Sequence, residues 1–140
     1  MATIAFCPTL TELNPFANTF TLPVAPYVVT PPQGDARWVT HVAAQLAGTA
    51  DALVLVFVGP ASVYAPALGF SRKALRSPAV AYFLVDPEMP TIGGEYGDWP
   101  DAPVTIVLTT AAPEYAHEAA RQAQLRGWKV SSEPLEKLLS

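Results

Sequence analysis

The chain is poor in cysteine and in charge. Cys7 is its one cysteine, so an intrachain disulfide and a cysteine-rich zinc site are both excluded. Charged residues make up 14% of the 140 residues and apolar residues 51%, whereas disordered chains combine high charge with low hydrophobicity. Basic residues are outnumbered, with a net charge of −4 and a pI of about 5.0. We therefore expect a folded protein that does not bind nucleic acid, because such binding needs a basic face.

Long hydrophobic runs are also missing. The longest, Ala52 to Val58, has seven residues, whereas a membrane-spanning helix needs about 18 or more. The first eight residues contain no Lys or Arg, unlike the charged start of a signal peptide. We expect a single cytoplasmic domain over residues 1–140 that does not associate with membranes.

Several short segments have the composition of β-strands. Leu53–Val58 and Val80–Val85 show no alternation of polar and apolar residues, which is typical of strands buried on both faces of a parallel sheet. Prolines keep Thr9–Pro26 and Glu88–Pro103 free of long helices. The predicted strands are Thr3–Cys7, Tyr27–Thr30, Leu53–Val58, Val80–Val85, Val104–Thr110 and Trp128–Val130.

Helical spacing of apolar residues appears between several of these strands. Asp35 and Gly48 are expected to cap the first helix at its two ends. Arg72, Lys73 and Arg76 are expected on the solvated side of the second helix. The predicted helices are Asp35–Ala47, Ala65–Arg76, Pro113–Arg126 and Glu133–Leu139.

Apolar strands that alternate with helices indicate an α/β fold with a mostly parallel sheet and helices on both faces. In such open sheets, ligands bind at the carboxyl ends of the strands. The predicted site therefore draws on the residues that follow each strand. These residues are Cys7, Thr30, the Gly59–Ser62 turn, Asp86 with Glu88, and Thr109 with Thr110.

The order and spacing of five segments resemble small bacterial proteins of the α/β-hydrolase fold. The resemblance runs from Tyr27 to Val130, about three quarters of the chain. It implies a reduced hydrolase-like sheet that lacks most of the segment between the first two strands. The matching segments are Leu55–Gly59, Pro66–Leu68, Tyr82–Pro87, Asp98–Pro103 and Arg126–Trp128.

The catalytic pattern of that family is not carried over. The nucleophile elbow needs Gly-x-Ser-x-Gly, and counting from Gly59 puts Ala61 at the position of the serine. Ser62 comes one residue late, and no histidine follows Val130. Pro8 has no N–H to offer to an oxyanion hole. The sequence thus predicts a degenerate hydrolase scaffold.

Four residues offer nucleophile or base chemistry, and each has a structural alternative. Ser62 is a candidate nucleophile or a helix N-cap. Cys7 is a candidate thiolate or a small buried hydrophobe. His41 is a candidate base or a helix residue paired with the backbone, and His117 is expected on a solvated helix surface. Two isolated histidines do not form a metal site.

Asp86 and Glu88 are the best candidates for acid–base chemistry. They lie two residues apart at the end of an apolar strand, where burial would push their pKa values apart. The alternative is that Asp86 accepts hydrogen bonds from the turn before Pro87. Tyr64 is a candidate to assist Asp86.

Aromatic and sulfur-containing side chains are expected around the same edge of the sheet. Tyr64, Met89, Tyr96 and Trp99 would line an apolar pocket or, alternatively, cover an exposed part of the core.

Three functions remain open at this point. The first is a non-hydrolytic tailoring enzyme or ligand-shaping protein that acts on a small acyl, polyketide or peptide-like molecule, without a cofactor or metal. The Ala- and Pro-rich composition, typical of GC-rich bacteria, suggests specialised metabolism. The second is a non-catalytic partner of another protein, and the third a serine hydrolase that uses Ser62 or Cys7 with His41. A reduced apolar scaffold also predicts a homodimer.

Overall fold

A computed structural model describes residues 2–19, 21–34, 36–49 and 52–140. Its centre is a parallel sheet of six strands in the order β2-β1-β3-β4-β5-β6. This sheet, with the helices around it, confirms the predicted α/β fold. The strands are β1 (Thr3–Phe6), β2 (Tyr27–Val28), β3 (Leu53–Val58), β4 (Ala81–Val85), β5 (Val104–Val107) and β6 (Lys129–Ser131).

The central strands are apolar along their whole length because both faces of the sheet are covered. On β3, Leu55 and Phe57 join one hydrophobic cluster, whereas Val56 joins a second cluster on the opposite face. Successive side chains of a strand point to opposite faces. An unbroken apolar run therefore supplies two cores at once.

The helices divide unequally between the two faces. Buried side chains of α1, α2 and α3 all join the cluster that contains Leu55, while Leu135 of α4 packs on the other face near Phe16 and Ala17. Helices thus lie on both faces, as expected, although α4 has only five residues. The helices are α1 (Trp38–Leu46), α2 (Ala65–Ala74), α3 (Glu114–Leu125) and α4 (Leu135–Leu139), with 3-10 turns at Gly59–Tyr64 and Gly94–Tyr96.

Most helix boundaries move inward from their predicted positions. The first helix begins at Trp38, with Arg37 as its N-cap and Ala47 as its C-cap. The predicted N-cap, Asp35, lies outside the described residues. Within the described ranges no helix has the length and apolarity that a bilayer crossing needs, since the longest, α3, has 12 residues.

The predicted exposure of Arg72 is wrong, whereas Lys73 and Arg76 are exposed as predicted. The Arg72 side chain is 1% exposed and donates hydrogen bonds to three backbone carbonyls. These bonds run from Nε to the Ser77 oxygen at 3.0 Å and from Nη1 to the Leu46 and Thr49 oxygens at 2.8 and 3.3 Å. The carbonyls at the end of α1 lack partners within the helix. Arg72 therefore ties the end of α1 to α2.

Candidate functional site

The carboxyl edge of the sheet holds a buried thiol where the sequence predicted a ligand contact. Cys7 follows β1 and is fully buried. Burial raises the pKa of its thiol well above the ordinary value, so the thiolate is not available near neutral pH. Cys7 is therefore a small buried hydrophobe, which was the alternative interpretation.

The gap between β1 and β3 is the point where this strand order reverses direction, and ligands of doubly wound sheets bind there. Here the side chain of Asn14 fills that position. Its Nδ2 donates to the Cys7 carbonyl at 2.9 Å and to the Val56 carbonyl at 3.4 Å, and its Oδ1 accepts from the Phe16 N–H. Asn14 is 3% exposed. The usual ligand crevice is thus occupied by the chain's own amide.

The turn after β3 carries no nucleophile at its strained position. In the nucleophile elbow, the serine occupies a sharp, strained turn between strand and helix. In this turn the residue with positive φ is Gly59, at +63°, and glycine has no side chain. The count from sequence had placed Ala61 there. In the structure Ala61 lies two residues after Gly59 in the same 3-10 turn, where it is fully buried.

Ser62 lies in the same 3-10 turn and is fully buried. Its expected role as a helix N-cap is wrong, because α2 begins at Ala65 with Tyr64 as its N-cap and without a side-chain cap. The Ser62 hydroxyl has no hydrogen-bond partner among the described residues. Neither His41 nor His117, both within the described ranges, forms a hydrogen bond with it.

Asp86 and Thr109 form a closed pair across the carboxyl ends of β4 and β5. The two carboxylate oxygens accept hydrogen bonds from the Thr109 N–H at 2.9 Å and from the Thr109 hydroxyl at 2.5 Å. The backbone of Asp86 has a positive φ of +45°. Glu88 is exposed. Asp86 thus joins two strands, and its predicted acid–base role remains a prediction.

Thr30 and His41 meet on the side of α1. The His41 Nε2 lies 3.0 Å from the Thr30 carbonyl oxygen, and the Gln45 amide donates to the Thr30 hydroxyl at 2.7 Å. His41 is therefore a helix residue bound to the backbone, which was the alternative interpretation. His117 is exposed on α3, as expected.

The predicted aromatic cluster separates into two places. Tyr64 stacks on Trp38 at 5.0 Å near the carboxyl edge. Trp99 instead lies edge-on to Tyr82, with ring centroids 5.2 Å apart, and Tyr82 is the second residue of β4. Trp99 thus packs toward the amino end of the strand because the connection to β5 must return there. Met89 is half-buried in the same connection.

A cavity of about 330 Å³ lies between α2 and the connection from β4 to β5; we name it the α2 cavity. Trp99 and Tyr96 line it, so two of the predicted ligand residues meet there. Its lining residues are Gly69, Phe70, Lys73, Ala74, Glu95, Tyr96, Gly97, Asp98, Trp99 and Asp101.

The floor of the α2 cavity has unused hydrogen-bonding capacity. The Tyr82 hydroxyl, which is buried, donates to Asp101 Oδ1 at 2.7 Å. Asp101 Oδ2 is also buried and has no hydrogen-bond partner among the described residues. Burial, followed by the hydrogen bond to Asp101 and its charge, raises the pKa of Tyr82. Orphaned polar atoms of this kind are costly in a closed core.

Glycine at position 69 makes this floor possible. A β-carbon there would overlap the Tyr82 hydroxyl and lie 2.7 Å from Trp99 Cδ1. Because Gly69 has no side chain, the rings of Tyr82 and Trp99 can both pack closely against α2.

A second cavity of about 360 Å³ borders Thr109 and Thr110 at the carboxyl ends of β5 and β6. Its walls include Phe16 and Leu135 from the opposite face. The hydroxyl of Thr109 is already bonded to Asp86. Phe16 is the one aromatic residue in its described lining, and none of the buried, unpaired polar atoms of the described residues belongs to that lining.

Comparison with protein-family models, curated proteins and solved structures finds no match for this chain. In the part of the chain that the structure describes, no three His, Cys, Asp or Glu side chains are grouped so that they could hold a metal ion.

The sequence did not reveal Asn14, Tyr82 or Asp101 as site residues. Asn14 sits in a proline-rich loop, and Tyr82 looks like an ordinary buried strand residue. A polar hydroxyl within an apolar strand was the available signal, because a buried tyrosine usually needs a hydrogen-bond partner.

Proposed function

We propose that this protein binds a small molecule in the α2 cavity and is not a hydrolase. The observation that supports this most directly is at Asp101, a lining residue whose Oδ1 accepts from the Tyr82 hydroxyl while its buried Oδ2 has no partner among the described residues. Small-molecule sites combine apolar walls with a few such polar groups. A ligand-shaping role on a small acyl or peptide-like molecule is compatible with this arrangement.

The carboxyl edge gives no support to hydrolase chemistry. The strained turn position is Gly59, the hydroxyl of Ser62 is buried, and the thiol of Cys7 is held neutral by burial. Nucleophilic catalysis needs a nucleophile and a base within hydrogen-bond reach of each other. We therefore expect that a fluorophosphonate probe will leave the intact mass of the protein unchanged.

A fragment screen tests the proposed binding site. Small neutral, cationic and anionic aromatic fragments would be screened by saturation-transfer NMR against the wild type and Ala74→Trp. Ala74 is exposed and lines the cavity, so the indole would fill it. Ala47→Trp is the control, because Ala47 is exposed and does not line the cavity.

We expect fragments to bind the wild type and Ala47→Trp but not Ala74→Trp. Equal binding to all three proteins would place the ligand elsewhere and contradict the proposal.

Self-association is a second proposal, supported by exposed apolar side chains. Leu125 and Leu75 are 89% and 50% exposed. Exposed apolar side chains are covered when proteins associate, and a two-fold dimer is the commonest form of self-association. Sedimentation velocity at micromolar concentration should show a dimer that Leu125→Glu weakens; a monomer would overturn this proposal.

A further inference from the structure

We infer that the ligand of the α2 cavity is a small organic cation, such as an aromatic amine. This inference rests on the proposed function and adds the chemical class of the ligand. Three features of the cavity support it: the balance of charge in its lining, the aromatic rings in its walls, and the unfilled acceptor at its floor.

The lining of the cavity is acidic. Among the described lining residues, Glu95, Asp98 and Asp101 contribute three carboxylates and Lys73 contributes one ammonium. Glu95 and Asp98 are exposed at the rim, where they are free to turn toward an incoming charge. Clefts lined by one sign of charge concentrate ligands of the opposite sign. A cation is therefore favoured over an anion.

The walls present aromatic rings to the same space. The Phe70 and Tyr96 rings lie 5.5 Å apart with planes tilted by 57°, and the Trp99 ring forms the adjoining wall. Phe70 is 56% exposed although it is a large apolar side chain. Cations bind over the faces of such rings, and groups of aromatic residues recognise alkylated ammonium ions.

The floor supplies an acceptor that still needs a donor. The Tyr82 hydroxyl is bonded to Asp101 Oδ1 and leaves Oδ2 without a partner among the described residues. Asp101 Oδ2 is shielded from solvent, so an ammonium group, which carries only donors, would pair with it once the Asp101 side chain turns toward the cavity, whereas a carboxylate ligand would face like charge.

The size of the site distinguishes an organic cation from a metal ion. The volume of the cavity is about 330 Å³, which is large enough for an organic molecule. Its carboxylates are not grouped for metal coordination, since the described ranges contain no group of three or more His, Cys, Asp or Glu side chains that could hold a metal ion. Lys73, whose ammonium forms no ion pair in the described part of the chain, is the local charge that opposes a cationic ligand.

Three probes of similar shape and different charge test the inference. Dissociation constants for benzylamine, benzyl alcohol and benzoate would be measured by NMR titration at pH 7. The wild type, Lys73→Gln, Glu95→Gln with Asp98→Asn, and Glu12→Gln would be compared. Glu12 is the control, because it is exposed and does not line the cavity.

We expect benzylamine to bind at least about threefold more tightly than benzyl alcohol, and benzoate to bind least. Lys73→Gln should tighten benzylamine binding, the double variant should weaken it, and Glu12→Gln should leave it unchanged. The preference should shrink as salt is added.

If benzyl alcohol binds as tightly as benzylamine, or benzoate binds best, the cation inference is overturned while binding in the cavity stands. If none of the probes binds and the fragment screen also finds nothing, both proposals are overturned.

Discussion

Asp86 shows at the scale of single residues why a well-placed carboxylate need not be catalytic. Its two oxygens accept both donors of Thr109, so its charge is used to join β4 to β5. Removal of the carboxylate would leave both donors of Thr109 without this acceptor, and an unpaired donor lowers stability to the extent that it is shielded from water.

Asp86→Ala should lower the free energy of unfolding by about 2 kcal/mol, because two donors lose their acceptor and alanine tolerates the positive φ poorly. Asp86→Asn should cost less, since asparagine keeps one acceptor and accepts that backbone conformation. Urea denaturation measures both. If Asp86→Ala were as stable as the wild type, the bonds to Thr109 would not contribute to the stability of the sheet.

The substitution Gly69→Ala has two opposing effects on stability, a gain from helix propensity and a loss from overpacking. In an open helix this change would gain about 1 kcal/mol. Here the new β-carbon would lie 2.7 Å from Trp99 Cδ1 and overlap the Tyr82 hydroxyl, and overpacking of this kind costs about 1–3 kcal/mol. Thermal unfolding should show a net loss, whereas Gly97→Ala, which meets its nearest atom at 3.7 Å, should be nearly neutral.

The buried side chains of Cys7 and Tyr82 should make the free energy of unfolding depend on pH in the alkaline range. Burial raises the pKa of both groups above their ordinary values of 9.0 and 10.0. The unfolded chain therefore releases these protons first, and stability is unchanged below about pH 9 but falls above it. The slope approaches about 1.4 kcal/mol per pH unit for each group.

Urea titrations between pH 7 and pH 10.5 measure this slope. Cys7→Ala should make the decline shallower and start it nearer pH 10, whereas Tyr115→Phe, at an exposed tyrosine, should not change it. A decline of the same steepness in Cys7→Ala would show that the thiol is not the cause.

Arg72 connects two elements, and its removal is predicted to loosen both. Arg72→Met leaves the carbonyls of Leu46, Thr49 and Ser77 without its donors. We expect a loss of about 3 kcal/mol in urea denaturation, since three hydrogen bonds from a buried, charged donor are lost while the Leu46 oxygen keeps the Thr49 N–H at 3.2 Å. Lys73→Met, at the exposed neighbouring position, should change stability by less than about 0.5 kcal/mol. Equal effects of the two substitutions would contradict this role.

The identity of the elements follows from periodicity, whereas the partners of polar side chains do not. The apolar run that forms β3 was predicted with its observed bounds, because a strand buried on both faces has no alternation. The sequence predicted that Arg72 is exposed because the helical period shows only which side of α2 a residue lies on. It cannot show that three backbone carbonyls from outside α2 lie on that side and accept hydrogen bonds from Arg72. Helix boundaries differ from the predicted ones where the capping residue differs, as in α1, whose N-cap is Arg37 and not the predicted Asp35.

The site required knowledge of how distant segments meet. The sequence put Tyr64, Tyr96 and Trp99 together, but the connection after β4 carries Trp99 back to Tyr82 while Tyr64 stays against Trp38. The topology predicted a ligand crevice at the carboxyl edge, and the side chain of Asn14 closes the crevice between β1 and β3. Because this closure depends on a single loop side chain, it has no periodic pattern in the sequence from which it could be predicted.

At the scale of the whole molecule, the two possible ligand regions each contain one tryptophan. Trp38 lies at the carboxyl edge against Tyr64, and Trp99 lines the α2 cavity. The chain has three tryptophans, so a ¹H–¹⁵N NMR spectrum offers one indole signal for each. These signals can be assigned with single Trp→Phe variants.

The most direct measurement is a titration of the ¹⁵N-labelled protein with benzylamine and benzyl alcohol, followed through the indole signals. We predict that the Trp99 signal shifts in a saturable manner while the Trp38 signal stays in place. Movement of the Trp38 signal with an unchanged Trp99 signal would put the ligand at the carboxyl edge and contradict binding in the α2 cavity.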